Sequence, residues 1–61
     1  MNGKQVIKIL EKQGWKVLRI HGSHYRLGKG EKRTTVPVHG VRDLGKGLLS
    51  AIERQTGVKL S

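Results

Sequence analysis

Two histidines and two arginines in the middle of the chain have the types and spacing to do chemistry together. Tyr25 and Leu27 are two positions apart, as are Thr34, Val36 and Val38. Side chains of an extended segment alternate between its faces, so each set marks one face of a strand. His24 and Arg26 then share the opposite face of one strand, and Arg33, Thr35 and His39 the opposite face of the next. With the apolar faces turned inward, His24, Arg26, Arg33 and His39 all open to the other side. Imidazole is the side chain suited to moving protons near neutral pH. Guanidinium pairs with phosphate and stabilises charge that builds up during phosphoryl transfer. The set suits RNA cleavage. A base takes the proton of a ribose 2′-hydroxyl, the freed oxygen attacks the adjacent phosphorus, and an acid protonates the departing 5′-oxygen. That route requires no metal. Glu11, Glu31, Asp43 and Glu53 are scattered along the chain and form no carboxylate cluster for magnesium.

Neighbouring motifs read more plainly. His21 and His24 flank Gly22-Ser23 in a His-x-x-His spacing, but no further zinc ligands accompany them, and His21 reads as an ordinary surface residue. Gly22-Ser23 is a turn signal. Such a turn can also bring backbone N–H groups and the Ser23 hydroxyl near a phosphate. Gly45-Lys46-Gly47 opens a helix and could bind phosphate likewise, without the spacing of a nucleotide-binding loop. Ser23 has no acidic orienter or oxyanion site to make it an acyl-transfer nucleophile.

The elements that position these residues follow from pattern. Val6, Ile7 and Leu10 fall at helical spacing, with Asn2 as N-cap, Gln5 three positions on and Gly14 as the stop. Lys4, Lys8 and Lys12 line one face of that helix, which reads as a solvated polar face or, alternatively, as a row of phosphate contacts. Three strands follow: Trp15 to Ile20, Tyr25 to Leu27 and Thr34 to Val38, separated by Gly22-Ser23 and by Gly28-Lys29-Gly30-Glu31. Pro37 cannot donate to a ladder, so the third strand is an edge or ends there. In the first strand Val17 and Leu18 are adjacent, and the pattern does not choose its inward face. A second helix runs from about Lys46 to Thr56, with Leu48, Leu49 and Ile52 as its stripe, Gly57 as C-cap and Asp43 as candidate N-cap. The order is α-β-β-β-α, an α+β fold with two helices on one face of a three-stranded antiparallel sheet. Trp15 belongs to the core.

Composition narrows the classes further. Sixty-one residues make one small domain, spanning 1–61. Unbroken apolar runs never exceed two residues, which excludes a membrane span and a signal-peptide core and points to the cytoplasm. There are no cysteines, so no disulfide framework and no thiolate nucleophile. Thirteen Lys and Arg against four Asp and Glu give a formal charge of +9. Such a field attracts nucleic acid, anionic lipid or an acidic protein. With Trp15 and Tyr25 as the only aromatics, contacts to the phosphate backbone are expected over base stacking.

Gly14-Trp15, Arg19, Gly22-Ser23-His24, Val36-Pro37-Val38-His39, Leu44, Gly47, Leu49, Ile52 and Gly57 together resemble the HicA family of mRNA-interferase toxins. The resemblance runs from the first helix to Gly57. It implies a double-stranded-RNA-binding-domain-like fold, cleavage of mRNA that arrests translation, a bacterial or archaeal cytoplasm and a HicB antitoxin that binds the toxin and blocks its site. It also implies that His24, the histidine of Gly-Ser-His, is catalytic. His39 as the second acid or base is an inference from strand parity. Ser23, Arg26, Arg33 and Lys46 are the candidate RNA-phosphate ligands, and no cofactor is expected. The alternative classes are a non-catalytic module that binds double-stranded RNA and a structural partner in a ribonucleoprotein.

Overall fold

Asn2 starts the first helix by a reciprocal cap. Its Oδ1 accepts from the Gln5 N–H at 2.9 Å, and Gln5 Oε1 accepts from the Asn2 N–H at 2.8 Å. The computed structural model describes residues 1–60. It contains α1 (Gly3–Lys12), β1 (Lys16–His21), β2 (His24–Lys29), β3 (Lys32–Pro37) and α2 (Lys46–Thr56). Val6, Ile7 and Leu10 of α1 are buried, and Lys4, Lys8 and Lys12 are exposed. The negative end of α1 receives a cation from the sheet: Lys29 Nζ, at the end of β2, donates to the Gln13 carbonyl at 2.7 Å.

The sheet is an antiparallel meander in the order β1-β2-β3. The strands run further than alternation alone marked out, up to tight two-residue turns. His21 pairs with His24 across Gly22-Ser23, and Lys29 with Lys32 across Gly30-Glu31. Gly22 and Gly30 hold φ of +62° and +60° at the first turn position, a left-handed backbone conformation that residues with a side chain rarely adopt. Pro37 closes β3 on an edge of the sheet. The ambiguity in β1 resolves as a bulge. Val17 pairs with Leu27 and Arg19 with Arg26, so Leu18 is the extra residue. Val17 therefore sides with buried Leu27, and Arg19 and His21 side with Arg26 and His24.

Val6, Ile7, Leu10, Trp15, Leu27, Val36, Ile52 and Leu60 form one buried cluster between the helices and the inner face of the sheet. α2 lies along β3. The hydroxyl of fully buried Thr34 donates to Gln55 Oε1 at 2.8 Å and pins the two together. Gly57 ends α2 in the left-handed conformation, as expected of the C-cap. The following residues turn back so that Leu60 enters the core, its N–H donating to Glu53 Oε2 at 2.7 Å. No helix among the described residues is long and apolar enough to cross a membrane.

Asp43 is not the cap of α2. The cap position is Gly45, with no side-chain hydrogen bond. A cap must immediately precede the first helical residue, and Asp43 stands too early. Its carboxylate instead pairs with the Met1 amine at 3.3 Å, while the Leu44 N–H donates to the Met1 carbonyl at 2.9 Å. The segment between β3 and α2 is thereby tied to the start of α1.

Trp15 is 2% exposed, and its indole N–H has no hydrogen-bond partner among the described residues. Its contribution is apolar area alone. Trp15→Ala is expected to cost about 3–5 kcal/mol, against a total of roughly 3–9 kcal/mol for a domain of this length. Trp15→Phe keeps an aromatic ring and removes the orphan donor, so its cost is expected to be much smaller. Thermal melts of the two variants check this ordering.

Candidate nucleic-acid interface and active site

The face of the sheet turned away from the helices is an open trough. Strand alternation puts His24 and Arg26 of β2 on it, and cross-strand register adds Thr35 and Arg33 of β3 and Arg19 and His21 of β1. One cavity of about 650 Å³ is lined by Leu18, Arg19, His21, His24, Arg26, Arg33 and Thr35. A second, of about 540 Å³, shares His24, Arg26, Arg33 and Thr35 and reaches the flank of α2 at Leu48, Ala51 and Gln55. His24, Arg26, Arg33 and Thr35 are thus the floor common to both.

Protein contacts hold the cations in place. Arg26 Nη1 donates to the hydroxyl of Thr35, its direct cross-strand partner, at 2.9 Å. Arg33 Nη1 donates to the carbonyls of Gly30 and Lys32, both at 2.8 Å. Each guanidinium commits one nitrogen to the protein and keeps the rest of its fork for a ligand. None of the four Asp and Glu lines either cavity. Gly28 is the reason Leu18 and Arg33 can lie low over the sheet. A β-carbon there would stand 2.6 Å from Leu18 Cδ1 and 2.9 Å from Arg33 Nη1.

Of the residues selected from sequence, the fold brings His24, Arg26 and Arg33 together. Ser23 sits in the hairpin turn beside His24, with its carbonyl accepting from the Val38 N–H at 2.7 Å. His39 does not line the trough. β3 ends at Pro37, so strand parity no longer governs position 39, and its carbonyl accepts from the Arg42 N–H at 3.0 Å within a turn. Lys46 is exposed at the start of α2 and is not a lining residue either. Arg19, His21, Leu18 and Thr35 join the trough without having been selected as site residues. The adjacent Val17 and Leu18 carried the signal for the β1 residues: placing a bulge there turns Arg19 and His21 outward. Among the described residues no group of three or more His, Asp or Glu is placed to hold a metal ion.

Residues 3–58 match the family model described as the HicA toxin of bacterial toxin–antitoxin systems. The chain is 36% identical over 50 residues to a protein of Pseudomonas fluorescens (strain Pf0-1) named "Probable mRNA interferase HicA", a match covering 82% of this chain and 83% of that protein. No solved structure gives a significant match.

The trough geometry predicts how a polyanion binds. Arg26→Ala and Arg33→Ala are each expected to weaken binding of a single-stranded RNA oligonucleotide and to flatten the slope of log K against log salt by roughly 0.7. Gly28→Ala is expected to reproduce the Arg33 effect by displacing its guanidinium. Fluorescence anisotropy across a salt series measures all three, with melting temperatures as the control.

Proposed function

The chain belongs to the HicA toxin family, and we propose that it is the toxin of a toxin–antitoxin pair. Its activity in this reading is that of an endoribonuclease that cleaves mRNA and arrests translation, with His24 as general acid or base. The observation that carries the reading is the shared trough floor. It sets one imidazole on a single open face with two guanidiniums, Arg26 two positions along β2 from His24 and Arg33 beyond it opposite Gly28, and none of the four Asp and Glu lines it. An RNA phosphate seated on Arg26 puts its ribose and its leaving oxygen beside the His24 ring, and Arg33, further along the same face, takes a neighbouring phosphate. The guanidiniums offset the charge that accumulates on the phosphorane oxygens, and the imidazole moves a proton. Cleavage through the 2′-hydroxyl needs no metal. Ser23, in the turn next to His24, is assigned a phosphate at the rim. Lys46 adds positive field without lining the trough.

The partner in this reading is an antitoxin of the HicB kind. A protein with an acidic surface fits a chain of +9 charge and can cover the same face. The setting is the cytoplasm, where both mRNA and such a partner are met.

The alternative of a non-catalytic duplex-RNA binder is less well supported by the dimensions. Duplex readers of that kind span roughly 16 base pairs across two minor grooves, more than about 40 Å. The backbone here extends 28 Å along its longest axis.

Cleavage of a mixed-sequence RNA in EDTA, by the parent and by His24→Ala, tests the reading. The parent is expected to cut and leave 2′,3′-cyclic phosphate ends. The variant is expected to bind RNA with similar affinity and to cut about 100-fold more slowly or worse. RNA bound by both proteins and cut by neither would overturn the assignment.

A further inference from the structure

His21 and His24 close the β1–β2 hairpin as direct partners across the strands. Their separation by the two-residue Gly22-Ser23 turn leaves that pairing no other register, because Gly22 supplies the positive φ the turn requires. Directly opposed residues of an antiparallel pair carry their β-carbons about 5 Å apart on the same face. Both imidazoles are exposed, and both line the 650 Å³ cavity with Arg19, Arg26 and Arg33. His39 lines neither trough cavity.

We propose that His21 is the second acid–base group of the site, acting with His24 on one RNA phosphate. The proposal rests on the endoribonuclease reading above. A neutral imidazole of the pair takes the proton of the ribose 2′-hydroxyl. The 2′-oxygen bonds to phosphorus, the bond from phosphorus to the 5′-oxygen breaks, and the leaving oxygen takes a proton from the protonated imidazole. The products are a 2′,3′-cyclic phosphate and a 5′-hydroxyl. The two rings end with their protonation states exchanged, and solvent resets them. The spacing suits the task, because the nucleophile and the leaving oxygen lie on opposite sides of the phosphorus and each needs its own proton carrier. Arg19 and Arg26, the next cross-strand pair on the same face, hold the phosphate between the two rings, and Arg33, further along opposite Gly28, takes a neighbouring phosphate of the strand. Leu18, 53% exposed at the wall of the cavity, offers an apolar surface to the ribose or base beside the scissile bond.

The test uses a substrate that needs no acid. Parent, His21→Ala, His21→Asn and His24→Ala proteins are given an RNA oligonucleotide at the site the parent cuts, and the same oligonucleotide with sulfur in place of the bridging 5′-oxygen. A thiolate leaves without being protonated. On ordinary RNA, the His21 and His24 variants are expected to lose about 100-fold or more in rate, with folding and RNA affinity kept. On the sulfur substrate, one histidine's variants are expected to recover to within about tenfold of the parent, marking the acid, and the other's to stay slow, marking the base. His21 variants that cut ordinary RNA at the parent's rate while His24→Ala is inactive would overturn the proposal and leave the endoribonuclease reading standing. Slow His21 variants with neither histidine's loss rescued by sulfur would also overturn it, since His21 would then only hold the hairpin. A parent protein that cuts neither substrate would remove the endoribonuclease reading itself.

Discussion

The register of β2 between its two neighbours is the constraint on which the rest of the molecule depends. Side chains alternate along a strand, so a slip of one residue exchanges the two faces. Here that exchange would drive His24 and Arg26 into the core and put Leu27 in water. Burying an unpaired guanidinium costs far more than a small domain has in total stability. Two features hold the register against that alternative. The two-residue turns at Gly22 and Gly30 fix each pairing from its end. The Leu27 side chain, fully buried among Trp15, Val36 and the helices, anchors the middle. One face of the central strand thus stabilises the fold, and the other is left free to carry chemistry.

That free face concentrates positive charge, and none of the four Asp and Glu lines it. The protein manages this with neutral acceptors: the Thr35 hydroxyl for Arg26, and the Gly30 and Lys32 carbonyls for Arg33. Neutral acceptors orient a guanidinium without cancelling its charge, whereas a salt bridge would spoil the site for an anion. The consequence is self-repulsion in the free protein, which a bound polyanion or an acidic partner relieves. Any such ligand therefore stabilises the fold by mass action. In a chain with +9 charge and no disulfide, occupancy of the trough and persistence of the fold are linked.

Much of this arrangement was legible in the residues, and the exceptions have local physical causes. The capping box at Asn2, the left-handed stop at Gly57, the edge position of Pro37 and the outward face of β2 each follow from a rule that acts over a few positions. The face of β1 did not follow, because a bulge breaks the period of two at Leu18, and a bulge is a property of two strands together. The same gap hid Arg19 and His21 from a reading by parity. His39 differs in the opposite direction: parity was carried two residues past Pro37, the last residue of β3, and His39 lines neither trough cavity. Leu60 entered the core by a return of the chain after α2, held by a bond to Glu53, which no local pattern announces. Local rules identified elements and faces, and contacts between elements decided which side chains meet.

The division between the two faces also explains how so short a chain can carry a site at all. A buried active-site pocket needs walls on several sides, and few residues here are left over once the core is filled. A sheet with one face open supplies a floor at no cost in extra chain, and α2, pinned to β3 by Thr34 and Gln55, adds a single wall. A polymeric substrate completes the enclosure, since a bound RNA strand excludes water from the trough in a way a small molecule would not. The groups on the floor must then be ones that work while partly solvated before the substrate arrives. Imidazole and guanidinium meet that requirement, because neither needs burial to take the form in which it acts. Built from strands joined by tight turns, the floor also holds its spacing without a surrounding shell: each hairpin fixes the distance between the residues that close it. The Gly22 turn does this for the His21 and His24 imidazoles, and register carries the same order along β2 to Arg26 and across to Thr35 and Arg33.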